Sequence, residues 1–122
     1  MSVSKYDAKE RWQRQEPIRV HILHIAKQLI AGRLGVIEAS RQLGYLGHEV
    51  EPQVAKVLQT FLGIDSETDS LPIGEVRKEW HPDVLKQKDK EIAEAERFYR
   101  DSAMNAAAEL VRLLETPSLV VR

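Results

Sequence analysis

The sequence predicts an all-α fold, a compact bundle of four to five helices with one long C-terminal helix. Three observations carry that expectation. Apolar residues recur at spacings of three and four along each long segment, the period of a helix face. Aromatics make up 6% of a chain that is 43% hydrophobic, so the core must be aliphatic, which suits helix packed on helix. Glycine and proline punctuate the first two thirds and then stop: neither occurs between Pro82 and Pro117. At 122 residues the chain reads as a single helical domain, large enough to close one core without staples.

Residues 1–16 read as an N-terminal arm or short helix, with Trp12 its anchor. Pro17 suits a first helical turn. Ile18, Ile22, Ile25 and Leu29 then form an inward stripe with Ala26 and Ile30 beside it, and Gly32 or Gly35 supplies the left-handed residue that stops it. A second helix is expected over 36–47, with Val36, Ile37, Leu43 and Leu46 inward and Gly44 and Gly47 weakening its end. Pro52 opens a third, which buries Val54, Val57, Leu58, Phe61 and Leu62 and closes at Gly63.

Residues 63–74, GIDSETDSLPIG, are expected to form an ordered acidic loop. Ser66, Thr68 and Asp69 can bond neighbouring amides, while Leu71 and Ile73 pin the loop to the core. The next segment, GEVRKEW, reads as a short turn of helix. Pro82 starts the last element, which runs to about Glu115 and would be about 50 Å long. Leu85, Ile92, Tyr99, Ala106 and Leu113 recur every seven residues along it, and Ala103, Ala106, Ala107 and Ala108 would admit a close neighbour. Three shorter helices cannot cover that length, so part of it must project, bend or pack on a second copy. A homodimer through the C-terminal helix follows as an expectation. Residues 116–122, set off by Pro117, read as a flexible tail.

Composition excludes several function classes. Eighteen Lys and Arg stand against nineteen Asp and Glu, for a net charge of -1, which creates no field to draw the chain onto nucleic acid. Without cysteine there are no disulfides, thiolate nucleophiles or cysteine-ligated zinc. The N-terminal segment has no apolar leader region, and no apolar stretch approaches the length of a membrane span. A soluble cytoplasmic protein that binds neither nucleic acid nor membrane is therefore expected.

Asp65, Glu67 and Asp69 alternate like the first ligands of an EF-hand calcium loop. The remainder departs from that pattern, with Ser70 where the sharp turn needs glycine and Val76 where a bidentate glutamate belongs; Glu75 is one residue out of register. No metal site is expected, and the carboxylates read as a solvated acidic surface. His21 and His24 share one helical turn, a metal-compatible spacing, but fall on its polar side with no third ligand. No serine sits in a nucleophile elbow, and no phosphate loop or dinucleotide fingerprint occurs. Neither an enzyme nor a cofactor is expected.

Two motifs resemble known modules. Trp80-His81-Pro82-Asp83 contains the His-Pro-Asp signature of J-domain co-chaperones; Leu62-Gly63-Ile64 resembles the Leu-Gly-Val near the start of that domain. The resemblance implies contact with an Hsp70 partner through His81, Pro82 and Asp83. The same residues also make a good helix start, with Pro82 in the first turn and Asp83 against the helix dipole. Glu38 to Val50, EASRQLGYLGHEV, resembles the opening of a DNA-binding helix-turn-helix. Its reading helix, however, would carry Glu49 and Glu51 and no Arg or Lys, and carboxylates are repelled by phosphate.

Leu29 to Arg33, Ile37 to Ala39 and Ile64 to Asp89 together resemble small uncharacterised bacterial all-helical proteins. In size and style the chain is similar to bacterial immunity proteins. These observations lead to an expected cytoplasmic protein-protein interaction module, an immunity or antitoxin-type inhibitor in its sharpest form. Asp65, Glu67, Asp69 and Glu75 are the expected partner-binding residues.

Overall fold

A computed structural model describes the backbone of residues 3–115, with side chains from Glu16 onward. Four α-helices and two 3-10 turns follow in order: α1 (Val3–Ile30), α2 (Val36–Leu43), a turn at Gly47–Glu49, α3 (Pro52–Thr68), a turn at Gly74–Glu79, and α4 (Pro82–Leu114). The fold is all-α, and no strand occurs among the described residues. The expected tail at 116–122 and the expected anchor Trp12 lie outside the described residues and side chains.

α4 packs on both α1 and α3, while α2 packs chiefly on α3. α1 contributes Ile22, Ile25, Ala26 and Leu29 to the core, and α2 contributes Val36, Ala39 and Leu43. Val54, Leu58, Phe61 and Ile64 face them from α3. Ala103, Ala106 and Ala107 are buried on α4 together with Leu110 and Leu114. Short side chains there let neighbouring helices approach closely; Ala108, on the other face, is exposed.

The observed bounds correct the expected ones in three places. The second helix does not reach residue 47 but ends at Leu43, with Gly44 its C-cap and a separate 3-10 turn from Gly47. The first helix does not begin at Pro17 but runs through it from Val3. Proline removes one backbone hydrogen bond, yet the preceding DAKERWQRQE is rich in strong helix formers that favour a single rod. There is thus no separate N-terminal arm or short helix. The third helix does not close at Gly63 but continues to Thr68, so only the second half of the expected acidic loop is non-helical. Glycine inside a helix costs about 1 kcal/mol relative to alanine. Ile64 and Thr68, both buried, extend the stripe of Leu58 and Phe61 by another turn, and that burial outweighs the glycine. Thr68 also bonds back to the Ile64 carbonyl at 2.7 Å.

Gly32, at φ 78°, ends α1 in the left-handed conformation that a side chain disfavours. α2 begins unusually. Its N-cap residue Gly35 offers no side chain. Instead Glu96 of α4 accepts from the amides of Val36 at 2.8 Å and Ile37 at 2.9 Å. A carboxylate at a helix N-terminus is favoured by both the free amides and the dipole. Glu96→Ala is expected to destabilise the protein by about 1–2 kcal/mol, and Glu96→Gln by less; chemical denaturation followed by circular dichroism measures both. Equal stability of all three proteins would refute the capping role.

Candidate functional site

The connection from α3 to α4 is held by two arginines. Arg41 of α2 donates to the carbonyls of Thr68 at 2.6 Å and Leu71 at 2.8 Å, closing the end of α3. Arg77 donates to the Pro72 carbonyl at 3.2 Å and to both carboxylate oxygens of Asp89 at 2.8 and 3.2 Å. Hydrogen bonding to Arg77 holds the Asp89 carboxyl below the usual carboxylate range, with the guanidinium charge acting in the same direction. Leu71 and Pro72 are buried beneath this connection.

The acidic residues of the stretch consequently separate. Asp65 is only 5% exposed, because residue 65 of a continuing helix points towards α2. There its carboxylate lies 3.4 Å from Arg41 Nε and accepts from the Tyr45 hydroxyl at 2.5 Å. Asp65 is a structural residue, and the expectation that it forms part of a partner-binding surface is corrected. Glu67 and Asp69 remain exposed. Glu75 is exposed on the second 3-10 turn, where it pairs with Lys78 at 2.7 Å, apart from Glu67. Among the described residues no three His, Asp or Glu side chains gather as a metal would require.

The Tyr45–Asp65 contact has a measurable signature. Accepting that hydrogen bond, the Asp65 carboxylate pushes the Tyr45 phenol above its ordinary value of 10.0; the charge of Asp65 and partial burial add to this, as does the charge of Asp69. A raised phenol value means the contact stabilises the fold fully below the unfolded value and is lost as pH rises through the folded one. The alkaline absorbance titration, taken as the difference from Tyr45→Phe, should place this phenol above a free tyrosine. Asp65→Asn should bring it down. An unchanged titration in Asp65→Asn would show that the contact does not form.

Between the end of α3, the connection and the middle of α4 lies an open groove of about 730 Å³. Glu67, Thr68, Ser70 and Leu71 form one wall; Glu91, Glu94, Ala95, Arg97, Phe98 and Tyr99 form the other. Phe98 is 77% exposed, and its ring meets Tyr99 edge-on at 4.8 Å. Glu91 reaches Lys88 at 3.5 Å. Glu67, Asp69 and Glu94 have no ion-pair partner among the described residues.

Expectation included Glu67 of this groove but missed Phe98, Glu91 and Glu94. A signal for Phe98 was present. Adjacent residues on a helix point about 100° apart, so only one of Phe98 and Tyr99 can face inward. The seven-residue stripe through Leu85 and Ile92 selects Tyr99 and leaves Phe98 in water.

His81, Pro82 and Asp83 lie exposed at the start of α4. His81 is the N-cap, its Nδ1 accepting from the Asp83 amide at 3.1 Å, and Pro82 takes the first turn where no amide is missed. The segment before them is a six-residue 3-10 turn. The segment after Gly44, where the helix-turn-helix resemblance would place a reading helix, is a turn and three residues of 3-10 helix, and Pro52 then begins α3. No helix among the described residues is long and apolar enough to cross a membrane.

Comparison of the chain with protein-family models, curated proteins and solved structures finds no match.

Proposed function

We propose that the protein is a protein-interaction module whose contact surface is the acidic groove between α3 and α4. The observation that carries this reading is Phe98, a large aromatic held 77% exposed on the rim of a groove lined by three glutamates. Fully burying such a side chain is worth about 1.5–3 kcal/mol, a gain left to a partner because the fold does not take it. Aromatic anchors surrounded by a polar rim are the usual centres of binding energy. The unpaired carboxylates select a basic partner and speed its encounter. In its sharpest form the module neutralises such a partner as an immunity protein or antitoxin would, covering a cationic site with Glu67, Asp69 and Glu94.

Purification of native complexes, followed by reconstitution from the isolated components, tests the proposal. Phe98→Asp should weaken the reconstituted complex at least about tenfold while leaving the helical circular dichroism unchanged. Recovery of only the protein itself, or a complex indifferent to Phe98→Asp, would refute it. Stimulation of an Hsp70 ATPase that vanished in His81→Gln would instead favour the co-chaperone reading. No observation in the fold favours that reading over a capping role for His81.

A further inference from the structure

Resting on the groove as the contact surface, we infer that its occupant is a basic amphipathic helix, laid along the first half of α4 with its apolar stripe over Phe98. The shape argues for a helix. α3 has 17 residues and α4 has 33, about 25 Å against about 50 Å, so α4 runs on past the end of its neighbour. No residue of α4 before Ala103 is buried.

Along that uncovered length Val84, Lys88, Glu91, Ala95 and Phe98 follow one another at spacings of four, three, four and three. This is the seam by which one helix packs almost parallel on another. Its apolar members sit at the two ends, with Val84 44% exposed and Ala95 partly buried beside Phe98. The Lys88–Glu91 pair lies between them. A strand has nothing to join, because no sheet edge exists among the described residues. The four-and-three spacing, with apolar ends and a charged centre, suits helix-in-groove docking.

The charge argues for a basic partner. Glu94 beside the seam and Glu67 across the groove have no counter-ion among the described residues, and together with Glu91 they outnumber Arg97, the one base of the lining. Lysines or arginines flanking the incoming stripe would meet them. A second copy answers this demand only in part: laid parallel it brings Glu91 and Glu94 towards their equivalents, and laid antiparallel about Glu91 it offers Lys88, already engaged by Glu91, to Glu94 while its seam holds no further base for Glu67.

The test uses the full chain and a fluorescent amphipathic peptide of about eighteen residues, with leucine and tryptophan on one face and lysine on the flanks. Two controls accompany it, one with glutamate in place of every lysine and one of the same composition with the stripe scrambled. Anisotropy at physiological salt should show the lysine peptide binding at least about tenfold tighter than either control. Phe98→Asp, and separately the double variant Glu67→Lys/Glu94→Lys, should each remove that advantage. Amide shifts in nuclear magnetic resonance should centre on Leu71 and Ala95. Equal binding of the scrambled peptide, shifts elsewhere, or sedimentation as a dimer that Phe98→Asp dissociates would overturn the inference, the last by showing a second copy as occupant. Failure of the peptide while Phe98→Asp still breaks the native complex would overturn the helix and leave the module standing.

Discussion

Phe61→Ala is expected to lower the unfolding free energy by about 3–5 kcal/mol, as truncation of a fully buried aromatic does when the surroundings cannot collapse into the space. Phe61 is completely buried and is the largest of the fully buried side chains. Its neighbours in the core are aliphatic and come from all four helices, so the cavity would open where those elements meet. Small domains are stable by about 5–15 kcal/mol in total; the variant should therefore be partly unfolded at mild denaturant or modest temperature. The urea midpoint by circular dichroism measures the loss, and Phe61→Leu should recover most of it. A midpoint shift in Phe61→Ala no larger than that of an exposed substitution would mean the core is not organised around this ring.

Gly44→Ala is expected to destabilise by about 2–3 kcal/mol, against the ordinary preference of helical backbone for alanine. Gly44 follows α2 with φ -59°, a conformation any residue adopts, so backbone freedom is not why glycine stands there. A methyl group at this position would lie 2.9 Å from Leu62 Cα and 3.2 Å from Leu62 N. Both are backbone atoms of α3 and cannot swing aside, so the α2–α3 packing must part; overpacking of this kind costs about 1–3 kcal/mol. Gly63→Ala is the control. A methyl there meets nothing within 4 Å, and the substitution inside α3 should stabilise by about 0.5–1 kcal/mol. Opposite signs for the two substitutions, read from denaturation midpoints, establish the close crossing. Equal signs would refute it.

Much of the architecture was legible in the sequence for local reasons. The stripe from Ile22 to Leu29, the start of α3 at Pro52 and α4 from Pro82 onward are all marked by residues within one turn of the feature they specify. The end of α3 was not legible, because Gly63 carries a stop signal that buried Ile64 and Thr68 override from further along the same helix. The fate of Asp65 followed from that error: on a loop it would be solvated, whereas on one more helical turn it faces Arg41 and Tyr45. Glu96 as the cap of α2 could not be read at all. Nothing near Gly35 in sequence supplies the missing oxygen, and only the tertiary fold brings the carboxylate there. Of the groove, Glu67 was visible as an exposed acid. Its partners on α4 looked like ordinary solvated charges until the connection after α3 was seen to turn towards them.

The borrowed start of α2 governs when that helix can exist. Its eight residues are too few to persist alone in water, and the carboxylate that receives its first amides lies sixty positions downstream. During synthesis the segment therefore gains its cap only once the middle of the last helix has been made. In the finished protein, the hydrogen-exchange protection of Val36 and Ile37 becomes a gauge of whether that distant rod is seated.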